Sequence, residues 1–272
     1  MEFIFITNNV QHARTAIQAG VDRIMVDLEI LGKIQRQGHL DTRISNHMVN
    51  DIHSMRFNIP TCNLTARVNP LNKCSKSEIN SCIEAGADTL MLPMFTTDSE
   101  VEEFVSLVSG RARVCLLLET SQAFVRADSI FECAGIDEVH IGLNDLHIGM
   151  GLSFMFELLA GGVVESLTSR LQSRGIKFGF GGVARLSSGP LSARLILSEH
   201  LRLGSSQVLL SRDFTNLLSG PLPLRDVEFT REIEALRFYL TDLDLTSPEL
   251  LEKNRLELKR IVHDIASMKR MR

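Results

Sequence analysis

What the chain lacks narrows its chemistry first. Its formal charge is only −4 over 272 residues, so no strongly basic face points to nucleic acid or an anionic membrane as partner. No apolar run reaches the roughly 18 residues that a membrane span requires. The stretch from Met1 to Thr7 is apolar but too short for a secretory core, and no basic segment precedes it; a cytoplasmic location is expected. The cysteines Cys62, Cys74, Cys82, Cys115 and Cys133 are odd in number and never form a C-x-x-C pair. That argues against a disulfide framework or a thiolate zinc site, fits a reducing compartment, and leaves them as core fillers. There is no G-x-S-x-G and no P-loop, and none of the eight histidines has zinc-ligand spacing. The nucleophile-elbow and Walker readings therefore have no support. No tandem repeat or low-complexity linker divides the chain, and its one basic cluster, Lys269, Arg270 and Arg272, reads as a solvated tail.

What is present is a rhythm. With 44% hydrophobic and 23% charged residues, the composition suits an ordinary globular protein with a substantial core. Eight short β-rich runs recur: EFIFIT at 2–7, RIMVDLE at 23–29, CNLTARV at 62–68, DTLMLP at 88–93, RVCLLLE at 113–119, EVHIG at 138–142, IKFGFGG at 176–182 and QVLLS at 207–211. Several are almost continuously apolar, as parallel strands covered on both faces are. Helices are predicted between them over 11–19, 75–85, 98–108, 154–174 and 191–203, most closing on a glycine, with Asp98 as the N-cap of the third. Eight alternations predict a (β/α)8 TIM barrel, with an open doubly wound sheet as the alternative.

After Asn216 the rhythm stops. Two further helices are predicted over 228–240 and 248–268, the second acidic early and basic late in keeping with the helix dipole. The expected division is a barrel core over 1–220 and a C-terminal helical extension over 221–272, packed on the barrel or on a neighbouring subunit.

In a barrel of this kind chemistry collects at the C-terminal ends of the strands. The polar residues predicted there are Asp27 and Glu29, Arg67 and Asn69, Glu119, then Gly142, Asn144 and Asp145, and finally Gly181, Gly182 and Arg185. Glu119 and Asp145 fall on neighbouring strands, about 5 Å apart laterally. Two such carboxylates repel unless a cation lies between them, and a hard ion such as Mg²⁺ or Mn²⁺ suits the pair. The competing reading makes each an N-cap of the helix that follows it. Arg67 offers a planar fork for a carboxylate or an enolate oxygen, and Asp27 or Glu29 could instead pair with it structurally. Gly181, Gly182 and Arg185 form either a phosphate approach or a tight turn. His12, His200 and His263 are placed on helix surfaces; His39, His47, His53, His140 and His147 lie nearer the mouth.

Asp-Leu-Glu after the second strand, Arg-Val-Asn-Pro-Leu after the third, Leu-Pro-Met at the fourth, Glu-Thr at the fifth and Gly-x-x-Asp-Leu-x-x-x-x-Gly after the sixth occur in that order. The set, covering about residues 1–215, resembles the HpcH/HpaI aldolase and citrate lyase β-subunit superfamily. The resemblance implies a TIM barrel and a divalent-metal-dependent carbon–carbon lyase acting through the enolate of a pyruvate-like 2-oxo acid. Alternatives are a CoA-thioester lyase of the citryl- or malyl-CoA type and a catalytically silent, metabolite-binding barrel. Carried over, Glu119 and Asp145 would hold Mg²⁺ or Mn²⁺, and Arg67 would stabilise the enolate with Asp27 and Glu29 supporting it. Gly142, Asn144 and Asp145 would receive the substrate carboxylate. Trimers or hexamers with exchanged C-terminal helices are implied as well. Met94 resembles the aldolase branch, whereas Asp-Leu-Glu and Arg-Val-Asn-Pro-Leu lean toward the citrate lyase branch. One position departs: Ile30 stands where the aldolases carry a histidine and the citrate lyases an aspartate. His39 is the replacement candidate for the base, since its ordinary pKa lies near neutrality.

Overall fold

The computed structural model describes residues 1–32, 47–220 and 224–270. All eight predicted runs are strands: β1 Glu2–Ile6, β2 Arg23–Asp27, β3 Asn63–Arg67, β4 Thr89–Leu92, β5 Arg113–Leu118, β6 Glu138–Ile141, β7 Lys177–Val183 and β8 Gln207–Leu210. They pair in parallel in sequence order, and β8 closes on β1, so the closed barrel stands and the open sheet does not. Strand alternation explains the apolar continuity. Ile4, Met25, Met91, Cys115 and Leu117 form one cluster inside the barrel. Their neighbours Phe5, Ile24, Val26, Leu64, Leu116 and Leu118 belong to a second cluster, against the helices. Both sides of each strand leave water, so the period of two that marks a half-exposed strand is erased.

The described helices are α1 Val10–Gln18, α2 Val49–Asn58, α3 Ser75–Glu84, α4 Asp98–Val108, α5 Ser121–Val125, α6 Ala127–Phe131, α7 Leu143–Gly149, α8 Glu157–Ala160, α9 Val163–Ser173, α10 Ala193–Arg202, α11 Arg212–Leu218, α12 Leu224–Leu243 and α13 Pro248–Arg270. Several differ from expectation. The helix predicted over 154–174 is broken into α8 and α9 by Gly161 and Gly162, the latter with φ +82°, a left-handed conformation in which a Cβ would be strained. The cap of α4 is Thr97 rather than Asp98: its hydroxyl accepts the Glu100 amide at 3.3 Å, and Glu100 accepts the Thr97 amide at 2.9 Å, a capping box. Helices α2, α6 and α11 have no counterpart in the prediction; along α2 only Ile52 and Met55 are buried.

The C-terminal helices pack on the barrel. α12 lies along α1 and α11, with Phe229 meeting Phe5 and Phe214 edge to face at 5.4 and 5.8 Å. α13 covers α10 and α8, buries Leu258, Val262 and Ala266, and is pinned by Asn254 donating to Ser198 at 3.0 Å. At the N-terminal end of the barrel, buried Arg23 donates to Glu2 at 2.7 Å and grips both oxygens of Glu138. Among the described residues no helix is long and apolar enough to cross a membrane.

Candidate active site

The opposite end of the barrel gathers the charged residues that sequence reasoning singled out. Asp27 closes β2 and Arg67 closes β3, and the two are register partners, so both side chains point inward at the same height. Arg67 donates from Nε to Asp27 Oδ1 at 2.8 Å and from Nη2 to Asp27 Oδ2 at 2.7 Å. This two-pronged contact fixes the plane of the guanidinium. Glu29 Oε2 lies 3.5 Å from Arg67 Nε, and Asp27 and Glu29 are both buried. Burial works against the charge on Arg67, but Asp27 first, then Glu29 and Glu119, outweigh it and hold its pKa above the ordinary guanidinium value. Among the described residues Nη1 makes no hydrogen bond, so the fork is held on one edge and presents the other. The structural pairing and the substrate-facing role foreseen for Arg67 are thus compatible.

Glu119 follows β5 directly and is buried. Its proposed role as an N-cap is not realised: Thr120 caps α5 by accepting the Ala123 amide at 3.0 Å, while its hydroxyl donates to Phe95 O at 2.8 Å. The carboxylate of Glu119 is instead seated against Gly142. A Cβ added there would come within 2.8 Å of Glu119 Cβ and 2.9 Å of Oε2, so only glycine leaves room for the acid. Gly142 also starts α7, whose first turn holds Asn144 and Asp145; Asp145 is therefore inside the helix rather than capping it.

Hard oxygen donors of this kind fit a Mg²⁺-type ion, which takes one or two protein carboxylates and completes its shell with water and substrate oxygens. Among the described residues no group of three or more His, Cys, Asp or Glu converges. His39 lies outside the described residues.

Several residues at the mouth went unassigned in the sequence. Asn69 Oδ1 accepts the amides of Ile30 and Leu31 at 2.9 and 3.0 Å, and Nδ2 donates to Leu28 O and to Glu78. His47 Nδ1 accepts the Asp27 amide at 2.9 Å. Met94, just past β4, has φ +57°, a conformation rare for a bulky side chain and typical of rims that carry function. Asn69 is predicted at the mouth with Arg67 but without a role there; Glu78, on an outer helix, gave no signal. Ile30 points to solvent with 52% exposure.

Other predicted residues sit elsewhere. His200 is fully buried, not on a surface: its ring stacks on Phe180 at 3.7 Å and Nδ1 meets Ser205 Oγ at 2.8 Å. His140 is inside the barrel, with Nε2 3.0 Å from Gly181 O, and burial pulls its pKa down to about 4. Gly181 and Gly182 lie within β7, as the seventh run placed them, and Arg185 stands 3.6 Å from Glu228. Cys62, Cys82 and Cys115 are core residues as expected, whereas Cys74 is exposed. A groove of about 880 Å³ at the N-terminal end, lined by Asn63, Asp88, Arg113 and Asp137, is a separate feature; its Arg56 is occupied by Gly86 O, Pro60 O, Cys62 O and Asp88.

A family model described as HpcH/HpaI aldolase/citrate lyase matches residues 3–156. Among solved structures, the HpcH/HpaI aldolase from Desulfitobacterium hafniense DCB-2 is similar at a TM-score of 0.62 and 14% identity, over 80% of this chain and 90% of that one. An HpcH/HpaI aldolase/citrate lyase family protein from Burkholderia cenocepacia J2315 gives 0.61 at 15% identity over the same shares. The citrate synthase SbnG gives 0.60 at 13%, again over 80% and 90%. At these identities the likeness to the solved structures is one of fold. No curated protein sequence matches the chain significantly.

Proposed function

The chain belongs to the HpcH/HpaI aldolase/citrate lyase family, a family of lyases, and from that premise we propose that it makes or breaks a carbon–carbon bond to the enolate of a pyruvate-like 2-oxo acid. The observation that carries the reading is Arg67: a half-buried, permanently charged fork, locked by the buried Asp27 and Glu29, with its Nη1 edge unclaimed by the described residues and Glu119 close enough to add to its field. Such a group strengthens as negative charge grows on an oxygen in front of it, which is the requirement for enolate formation.

Glu119 and Asp145 would hold a Mg²⁺ or Mn²⁺ ion, whose contribution is Lewis-acid stabilisation of negative charge on the substrate oxygens. The chain's own residues do the rest. Arg67 orients the 2-oxo oxygen and neutralises its developing charge, while Asp27 and Glu29 keep the guanidinium from turning away. The backbone at Gly142, Asn144 and Asp145 receives the substrate carboxylate. The base that takes the proton is assigned to His39, because Ile30 offers no titratable group at the family's usual position.

The test is deuterium exchange of the pyruvate methyl protons in D₂O, followed by proton NMR with Mg²⁺ or Mn²⁺ and again with chelator. Metal-dependent exchange is expected, falling by about a hundredfold or more in Arg67→Ala and Glu119→Ala, the scale seen when a charge-stabilising donor is removed. Absence of exchange in the wild-type protein with metal bound overturns the pyruvate reading and directs the search to CoA thioesters. Absence of metal binding favours the silent barrel.

A further inference from the structure

Glu29 sits on a segment with no regular structure, two residues past Asp27, where β2 ends. Something must fix that backbone if Glu29 is to stay beside Arg67. The Leu28 amide donates to Arg67 O at 2.9 Å, and the Glu29 amide to Asp27 Oδ1 at 3.2 Å. Beyond Glu29, the side chain of Asn69 holds the next two residues. Asn69 accepts two successive amides, Ile30 and Leu31, on Oδ1 and donates to Leu28 O at 3.2 Å from Nδ2. An amide side chain can do this only in one flip state and one plane.

That plane is set from behind. Glu78, in the first turn of α3, accepts from Asn69 Nδ2 at 2.7 Å and from the Asn69 backbone amide at 3.2 Å. A carboxylate has only acceptors to offer, so it forces the NH₂ group of Asn69 toward itself and the carbonyl toward Ile30 and Leu31. Glu78 is half-buried, and burial pushes its carboxyl pKa up against the pull of the Asn69 hydrogen bonds. It therefore carries a desolvation cost for a contact whose product is the orientation of one neighbouring amide.

We propose that Glu78, acting through Asn69, is a positioning residue for the active site: it holds the Leu28–Leu31 backbone so that Glu29 stays against Arg67. Neither residue touches substrate. The inference rests on the enolate reading of the mouth and adds to it a pair of residues that set its geometry.

The experiment has two arms on the full chain with Mn²⁺. Backbone amide hydrogen exchange at Ile30 and Leu31, read by mass spectrometry on peptides spanning 26–32, is compared between wild type, Glu78→Ala, Glu78→Gln and Asn69→Ala. Loss of one charge-assisted hydrogen bond predicts about a tenfold or greater loss of protection in Glu78→Ala and Asn69→Ala. Glu78→Gln, which keeps one acceptor oxygen, should be intermediate. The second arm follows pyruvate methyl exchange against pyruvate concentration. The rate at saturation should fall about tenfold in Glu78→Ala with KM within about twofold, since the charge-stabilising geometry is lost and the binding groups are not; Glu78→Gln should recover part of it. Unchanged protection in both Glu78 variants overturns the proposal, as does a change in KM alone or full activity in Glu78→Ala. If wild type shows no pyruvate exchange, the enolate reading fails and the positioning role falls with it. The amide arm then still reports whether the strap exists.

Discussion

At the scale of single residues, the site depends on what each position leaves out as much as on what it offers. Gly142 lets the Glu119 carboxylate occupy the space a methyl group would fill. Gly142→Ala should therefore cost about 1–3 kcal/mol of stability by overpacking and, more tellingly, weaken Mn²⁺ binding by about tenfold or more, the usual effect of disturbing the support of a ligand. Calorimetric titration with Mn²⁺ checks it; unaltered affinity would separate Glu119 from the metal. The residue types at the mouth were legible in the sequence because a buried strand that ends in a charge is unusual. What stayed hidden was the support. Asn69 and Glu78 are polar residues of ordinary kinds, and only three-dimensional proximity turns them into a pair. The capping roles of Thr97 and Thr120 were obscured for a similar reason, since an acidic neighbour stood beside each hydroxyl.

At the scale of elements, all eight strands could be read because burial on both faces leaves a strong apolar signature. Helix α2 could not, since it buries only two residues, and the break between α8 and α9 depends on a backbone twist at Gly162 that helix periodicity does not record. One strand has a further property. β7 is flanked by two buried imidazoles, His140 on the barrel side through Gly181 O and His200 on the helix side against Phe180. Burial lowers the pKa of both, to about 4 for His140. A histidine with a depressed folded-state pKa is neutral in the native protein while its unfolded form takes up a proton below about pH 6.5. Its contribution to stability is thus complete above that pH and lost as pH falls toward about 4. Urea unfolding should show the wild type losing about 2 kcal/mol between pH 7 and pH 5 from His140, with a shallower loss in His140→Gln. Equal slopes for the two proteins would refute the assignment.

At the scale of the whole molecule, charge is divided between the two ends of one barrel. Arg23, Glu138 and Glu2 plug the N-terminal end, whereas Arg67, Asp27, Glu29 and Glu119 line the C-terminal end. The first set should serve stability and the second chemistry. Arg23→Ala leaves Glu138 buried beside an unfilled space and should cost about 3–5 kcal/mol, yet leave methyl exchange per folded molecule unchanged. Thermal unfolding and the exchange assay on the same sample test both halves of that statement; a loss of exchange in the folded fraction would show that the plug reaches the mouth.

The two ends meet on a single strand. β2 carries Arg23 as its first residue and Asp27 as its last, both inward, one tied to β6 and the other to β3. A slip of one residue would turn both charges out into the hydrophobic layer under the helices, and a slip of two would keep them inside but part each from its partner. The strand is thus keyed at both ends, like a ruler with a stop at each tip. Lengthening or shortening β2 by any number of residues misaligns at least one stop, so the chain tolerates insertions in its loops far more readily than a single deletion here.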